Sequence, residues 1–185
     1  SVAVAMRGPR TSPVEVVSKG KDGTLLIDDL NDGKMTIPDF DIPTSSYDID
    51  KFTEKDGIIT YENGQSALGI NVNQNRGDID WVKVKESGVE FAMIRVGYRS
   101  FKTGLITPDS KFEENMKGAK EAGVDIGVYF FSQAVTDAEA EEEASFVLQQ
   151  IQGYQVTYPI AFDWEFAIKD AGSINEDSRT VNCTG

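Results

Sequence analysis

Histidine does not occur in this chain of 185 residues, and cysteine occurs once, at Cys183. The lack of histidine excludes a Ser-His-Asp triad, a Cys-His dyad and every zinc site with histidine ligands. One cysteine can form neither a disulfide within the chain nor a four-cysteine zinc site. Any catalysis must therefore use carboxylates, tyrosines, lysines, hydroxyl groups or a hard metal ion bound by oxygen.

Positive charge is also scarce. The chain has 18 Lys and Arg residues against 31 Asp and Glu residues, so its formal net charge is -13. A chain this acidic repels the phosphates of nucleic acids, which argues against a nucleic-acid-binding protein. No apolar run approaches the roughly 18 residues that a membrane-spanning helix needs, so we expect no membrane span. The hydrophobic content of 39% is enough for a packed core.

Residues 1–67 differ in composition from the rest and hold four of the six prolines. Short β-type runs, such as Thr24–Ile27 and Ile58–Tyr61, alternate there with Asp-Gly or Asn-Gly pairs at positions 22–23, 32–33, 56–57 and 63–64. Such pairs between short apolar runs are typical of hairpins. We predict that this region is a linker or a small β appendage, and we find no catalytic pattern in it.

From Leu68 onward, strands and helices alternate. Apolar runs predict strands at 68–72, 91–98, 125–131 and 158–166, and helical periodicity predicts helices at 79–87, 110–122 and 136–152. This order places the domain at 68–185 in the α/β class, with a parallel sheet and right-handed crossovers. A barrel and an open doubly wound sheet both fit. In either architecture the active site lies at the carboxyl ends of the strands.

Two of the predicted helices carry capping boxes. Ser110 with Glu113 marks the start of the second helix, and Thr136 with Glu139 marks the start of the third. In the third helix we expect the acidic residues Glu139, Glu141, Glu142 and Glu143 to face solvent.

The fourth predicted strand ends in Asp163-Trp164-Glu165. Side chains alternate along a strand, so Asp163 and Glu165 should share a face, with Cα atoms roughly 6.6 Å apart. Neighbouring carboxylates push their pKa values apart, so that one is charged and the other is held toward its protonated form. Glycosidic cleavage requires such a pair. The alternative is chance, because acidic residues are abundant and the same spacing occurs in the third helix at Asp137 and Glu139.

The other strand ends supply further candidates. The first strand offers Asn71 and Asn73, and the second offers Arg95, which alternation places on one face with Phe91, Met93 and Gly97. Arg95 either tunes the two acids or pairs with a buried carboxylate. Aromatic residues at these ends either stack on sugar rings or pack in the core. The candidate substrate-binding residues are Arg95, Tyr98, Tyr129, Ser132 and Trp164.

Four runs of sequence resemble one known family. They are GINVNQNRGDIDWVKVKESGVEFAMIRVGYR, DSKFEENMKGAKEAGVDIGVYFFSQA, DAEAEEEASFVLQQI and YPIAFDWE, and they fall in order within residues 68–180. Together they resemble glycoside hydrolase family 25, the Chalaropsis-type lysozymes or N-acetylmuramidases.

The resemblance implies a TIM-like β/α barrel that cleaves the β-1,4 bond between N-acetylmuramic acid and N-acetylglucosamine in peptidoglycan glycan strands. It implies that Glu165 is the general acid/base and that Asp163 orients the N-acetyl group of the substrate, which attacks the anomeric carbon in a retaining mechanism. It implies neither a metal ion nor an organic cofactor. It also implies a bacterial or phage protein that acts outside the cytoplasm or at the cell wall.

Two features depart from the family pattern. The first strand of the family reads GIDVS with an aspartate in the site, and here Asn71 occupies that catalytic position. The family barrel has eight strands, whereas only the first four are predicted here, so we expect the domain to be C-terminally incomplete. The remaining strands would come from a longer protein or from a second chain. These departures leave an alternative function, a cell-wall glycan-binding module that cuts weakly or not at all.

Overall fold

The computed structural model describes residues 14–21, 23–29, 33–39, 47–55, 57–62, 66–167 and 177–181. The chain divides into two compact units, residues 1–65 and residues 66–185. Among the described residues, no helix has the length and apolar character required to cross a bilayer.

The first unit consists of short antiparallel strands. Strands β1 (Val14–Lys19), β2 (Thr24–Asp29) and β3 (Gly33–Pro38) form a three-stranded sheet, and β4 (Phe52–Lys55) pairs with β5 (Ile58–Tyr61). Gly57, in the turn between β4 and β5, has a φ of 77°, which favours glycine there. The hairpins predicted from the Asp-Gly pairs are confirmed, and the Asn63-Gly64 turn lies outside the described residues.

The second unit alternates strands and helices. Its strands are β6 (Gly69–Val72), β7 (Phe91–Arg99), β8 (Ile106–Pro108), β9 (Asp125–Ser132) and β10 (Ile160–Trp164). Its helices are α1 (Trp81–Glu86), α2 (Phe112–Ala122) and α3 (Asp137–Gln150). The parallel strands lie in the order β10-β9-β7-β6, and β8 pairs antiparallel with the end of β7. The predicted alternation is confirmed, and β8 is an addition that the sequence pattern did not indicate.

One face of the sheet carries the helices. Ala92, Ile94 and Val96 of β7 are almost completely buried, and they belong to one core cluster with Met116 of α2 and Val147 of α3. We call this the helix face. Both long helices therefore pack on the same side of strands that follow sequence order across the sheet. The described part is a mixed α/β unit with a parallel sheet, and its four parallel strands do not close into a barrel.

The two capping boxes differ in outcome. Thr136 is the N-cap of α3 and accepts a hydrogen bond from the Glu139 backbone N–H at 3.2 Å, which confirms half of the predicted box. The other half differs, because the Glu139 side chain accepts from the Val135 backbone N–H at 2.9 Å. The box at Ser110 is wrong, because α2 begins at Phe112 and its N-cap, Lys111, makes no side-chain capping bond. The Ser110 hydroxyl instead donates to the side-chain oxygen of Gln74 at 3.1 Å.

A β-bulge in β7 changes the faces of the residues that follow it. The pairing of β7 with β9 shifts between Arg95 and Gly97. A Cβ atom on Gly97 would lie 3.0 Å from the Phe146 ring of α3, so Gly97 faces the helices and its predicted face is wrong. The extra residue moves Tyr98 to the face that holds Arg95.

Candidate active site

The site lies on the sheet face opposite the helices, at the carboxyl ends of the strands. We call this the carboxylate face because Asp163 lies on it. Register places Arg95 beside Tyr129 and places Tyr98, Phe131 and Asp163 in one row across β7, β9 and β10. Two strand spacings separate the Cα atoms of Tyr98 and Asp163, which is about 10 Å. Phe131 lies between them in this row.

The protonation of Asp163 is affected by its burial. Its side chain is partly buried, and burial raises the pKa of the Asp163 carboxyl above its ordinary value. Desolvation of the carboxyl is the cause of this shift, because burial disfavours its charged form. The predicted mutual perturbation of Asp163 and Glu165 stays a prediction. The raised pKa also belongs to the acid that the resemblance does not make the proton donor.

Glu165 follows directly after the last residue of β10, and its side chain is exposed. Its backbone carbonyl accepts a short hydrogen bond from the side-chain amide of Gln133. An exposed carboxyl at a strand end can exchange protons with water and with a bound ligand, as a general acid/base must.

Tyr129 links the end of β6 to the site. Its hydroxyl oxygen accepts a hydrogen bond from the Asn73 side-chain amide at 3.2 Å. Burial raises the pKa of the Tyr129 hydroxyl, and the negative charges of Asp163 and Asp109 add to this effect. The hydroxyl therefore keeps its proton at neutral pH. Since Asn73 occupies its acceptor side, the proton can be donated to a ligand.

Arg95 is held by a buried carboxylate. Its Nε donates to Asp109 Oδ2 at 2.8 Å, and the Asp109 side chain has no exposed surface. The same carboxylate accepts from the backbone N–H of Gln74 at 3.1 Å and of Lys111 at 3.0 Å. The Arg95 guanidinium lies 5.0 Å from the centre of the Tyr98 ring, in cation–π contact. Pairing with a buried carboxylate, one of the two predicted alternatives, is confirmed.

Two predicted substrate-binding residues do not reach the carboxylate face. Ser132 and Trp164 are paired in register and lie on the opposite side of their strands from Phe131 and Asp163. Ser132 is completely buried, and its hydroxyl accepts from the Ala134 backbone N–H at 3.2 Å. The Trp164 indole donates to the Ala134 carbonyl at 2.9 Å and packs against Phe166. Both side chains therefore form hydrogen bonds with the backbone of Ala134.

Asn71 is exposed on β6 and lies in register with Met93 of β7. The strand order therefore separates it from Asp163 by the two strands β7 and β9. Its amide carries hydrogen-bonding capacity to this face but no charge.

Sequence reasoning missed Asp109 and Gln133 as parts of the site. Asp109 lies in the turn before α2, away from the ends of the predicted strands, and no local pattern in the sequence marks it as the partner of Arg95. Gln133 follows β9 directly and is completely buried. An amide just beyond a buried strand end is itself a signal, since it must find hydrogen-bond partners there. In the part of the chain that the structure describes, no cluster of three or more acidic or cysteine residues could hold a metal ion.

Comparison with known proteins identifies relatives of this unit. The sequence model of "Glycosyl hydrolases family 25" matches residues 70–183. The autolytic lysozyme of Clostridium acetobutylicum is 34% identical over 113 residues, which cover 61% of this chain and 32% of that protein.

Among solved structures, the modular autolysin LytC from Streptococcus pneumoniae, in complex with a synthetic peptidoglycan ligand, has a TM-score of 0.53 at 21% identity. The match covers 82% of this chain and 35% of LytC. A family 25 glycosyl hydrolase from Bacillus anthracis has a TM-score of 0.48 at 21% identity, over 68% of this chain and 50% of that one. The chain thus spans about a third of the lysozyme and of LytC, and the likeness to LytC shows the fold alone.

Proposed function

The chain belongs to glycosyl hydrolases family 25, and on that premise we propose that it hydrolyses the β-1,4 bond between N-acetylmuramic acid and N-acetylglucosamine in peptidoglycan. The 34% identity to an autolytic lysozyme supports this proposal. The observation that carries it is the site itself. A partly buried Asp163 lies in a row with Tyr98, and the exposed Glu165 follows it at the carboxyl edge of the sheet.

In the proposed reaction, Glu165 donates its proton to the glycosidic oxygen as the bond to the anomeric carbon breaks. The carbonyl oxygen of the substrate's own N-acetyl group attacks that carbon and forms a cyclic oxazolinium intermediate. Asp163 accepts a hydrogen bond from the N-acetyl N–H and stabilises the positive charge that develops there. Water then attacks the anomeric carbon and gives its proton to Glu165, so the configuration is retained.

Three side chains of β7 and β9 supply the remaining contacts in this proposal. Tyr129 donates its hydroxyl proton to a polar group of the sugar, since Asn73 already occupies its acceptor side. The ring of Tyr98 offers an apolar surface for a sugar face, and the Arg95 guanidinium beneath it fixes that ring.

The four parallel strands correspond in this proposal to the first four strands of a β/α barrel. Two observations support it: the strands follow sequence order across the sheet, and α2 and α3 pack on one face. A doubly wound sheet instead reverses its strand order and has helices on both faces. On the helix face of the edge strand β10, Ile160 is 49% exposed and Phe162 is 59% exposed. In a barrel the next strand and helix cover such a surface.

We place the action of the protein at the bacterial cell wall, outside the cytoplasm. This follows from the proposed substrate, because the glycan strands of peptidoglycan lie there.

A second candidate function is a wall-binding module that holds glycan without cutting it. Asn71 favours this candidate, because it brings no charge to a position where the family has an aspartate. In this candidate, the aromatic and amide side chains of the carboxylate face bind the glycan, whereas cleavage also requires Glu165 and Asp163.

A cell-wall assay separates the two candidates. Purified walls are mixed with the wild type, with Glu165→Gln and with Asp163→Asn, and both turbidity and co-sedimentation are measured. The proposed hydrolase clears the walls, and the Glu165→Gln variant sediments with them without clearing. Sedimentation of the wild type without clearing would support the binding module and contradict hydrolysis.

A further inference from the structure

Gln133 is a completely buried amide that the reaction proposed above does not use. Its side-chain nitrogen donates to the Ser132 carbonyl at 2.8 Å and, by a short bond, to the Glu165 carbonyl. Its side-chain oxygen accepts from the Thr180 hydroxyl at 3.3 Å. The side chain thus joins the end of β9 to the residue that follows β10 and to a segment near the end of the chain.

Hydrogen bonds to the two residues that follow β9 hold the backbone around Glu165. The Ala134 carbonyl, next in sequence after Gln133, accepts the indole N–H of Trp164 at 2.9 Å. Two consecutive residues after β9 therefore bind two consecutive residues at the end of β10. Because Glu165 lies beyond the last ladder pair of β10, which is Trp164 with Ser132, these bonds continue the attachment that the sheet no longer provides.

The orientation of the Gln133 amide is itself fixed. The hydroxyl of Thr180 is within 2.8 Å of the Ser178 hydroxyl, and both side chains are buried. Arg179, between them, forms an ion pair with Glu139 of α3, and its backbone N–H donates to the Phe101 carbonyl at 2.9 Å. The segment 177–181 is therefore attached to the sheet end and to α3, and it presents Thr180 to Gln133.

We propose that Gln133 is a positioning residue for Glu165, and that Thr180 fixes the orientation of its amide. This inference rests on the proposed function, in which Glu165 is the general acid/base. Gln133 touches no reacting atom. It holds the peptide that carries the Glu165 carboxyl, and proton transfer depends on placing that carboxyl within hydrogen-bond distance of the glycosidic oxygen.

The first test compares the kinetics of one Gln133 variant with those of the wild type. Gln133→Met keeps the length of the side chain but removes the amide. We expect kcat for wall hydrolysis to fall by about tenfold or more, with KM changed less than about threefold, because the loss is in the transition state. Gln133→Met should still sediment with walls as the wild type does, since Gln133 touches no reacting atom. An unchanged kcat, or a loss confined to KM, would overturn the proposal.

Thr180 provides a matched pair of variants. Thr180→Val has nearly the same shape and removes the hydroxyl, whereas Thr180→Ser keeps it. We expect kcat to fall in Thr180→Val and to stay near the wild-type value in Thr180→Ser. Equal losses in the two variants would indicate a packing effect and would contradict the role of the hydroxyl.

Two controls separate positioning from stability and from the proposed function. Asn115 is also a buried amide, on α2, and Asn115→Ala should lower the melting temperature without changing kcat. The carbonyl ¹³C chemical shift of Glu165, measured by NMR on the full chain, reports its hydrogen bond without any activity. We expect it to move in Gln133→Met. If the wild type does not cleave walls, the proposed function fails; if this signal stays unchanged in Gln133→Met, the positioning inference fails.

Discussion

At the scale of single residues, the burial of Asp163 and its proposed role in the reaction favour different protonation states. Its carboxyl is partly buried, and burial raises its pKa. A charge held there at neutral pH costs folding free energy, and the same charge is what the proposed reaction requires beside the N-acetyl group. We therefore expect the Asp163 carboxylate to lower the stability of the fold while it supports activity.

Asp163→Asn tests this expectation. Because the pKa of the folded state is raised, the stability provided by the neutral carboxyl is present below the ordinary pKa of 3.8 and is lost as the pH rises through the raised value. The amide does not ionise, so we expect the variant to be more stable than wild type at about pH 7, by at most about 1 kcal/mol, and equal near pH 3. Thermal unfolding at the two pH values measures this. A difference in melting temperature that does not change with pH would contradict it.

The rate of wall hydrolysis should also depend on the ionisation of Asp163, but here the charged form is the favourable one. If Asp163 acts as a carboxylate, the rate of wall hydrolysis falls as the pH drops through its raised pKa, so the acid limb of the profile lies above the ordinary value for an aspartate. Asp163→Asn should lose activity at every pH.

Asn71→Asp tests the missing charge on β6. A carboxylate at this position adds negative charge to the face where the proposed intermediate is positive, so we expect the initial clearing rate to rise by about threefold or more. Asn71→Ala, which also removes the amide but adds no charge, is the control. An unchanged or lower rate in Asn71→Asp would contradict the prediction.

At the scale of elements, β7 sets the site through one bulge and one ion pair. The bulge turns Tyr98 toward Arg95, and the buried Asp109 ties Arg95 to the turn before α2 and to the turn after β6. Breaking a buried pair leaves a charge without compensation. Three segments that are distant in sequence therefore depend on a single carboxylate.

Asp109→Ala should lower the free energy of unfolding by about 3 kcal/mol, because it leaves the Arg95 guanidinium buried and unpaired. Chemical denaturation measures this. Asp78 is the control, since its ion pair with Lys111 lies at the surface, and Asp78→Ala should leave stability nearly unchanged. The double variant Arg95→Met with Asp109→Leu should recover most of the loss. An Asp109→Ala variant as stable as wild type would refute the role given to this pair.

Periodicity predicted the elements well and their polar contacts poorly. The strands and helices of residues 66–167, apart from β8, follow from apolar spacing, because burial against a sheet selects for it. The acidic run of α3 was predicted to face solvent, but Glu143 is 1% exposed and accepts from Arg99 Nε at 2.6 Å. Arg99 belongs to β7, and a pairing across 44 residues leaves no local pattern in the sequence.

The same limit applies to the site. Asp163, Glu165, Arg95 and Tyr129 were found because they lie at strand ends, where the architecture places active sites. Alternation could not locate Tyr98 correctly, since the bulge has no clear sequence signal. Trp164 and Ser132 were predicted to bind substrate, although neither side chain lies on the carboxylate face. Each follows directly after a residue of that face, Asp163 or Phe131, so alternation along the strand already places both on the opposite face.

At the scale of the whole molecule, the family match and the site lie in the same unit. The match covers residues 70–183, and every proposed catalytic residue falls inside it. The antiparallel strands of residues 14–61 lie outside it, and they carry no part of the proposed reaction. The proposal therefore attributes hydrolysis to the second unit alone.

The central claim is that Glu165 and Asp163 cleave muramic acid glycosides with retention, and identifying the product tests it most directly. Purified walls are digested with the full chain, and the first products are followed by mass spectrometry and proton NMR. We predict new reducing ends on N-acetylmuramic acid, initially in the β configuration, and none with Glu165→Gln. Reducing ends on N-acetylglucosamine, an initial α product, or undiminished cleavage by Glu165→Gln would contradict the account.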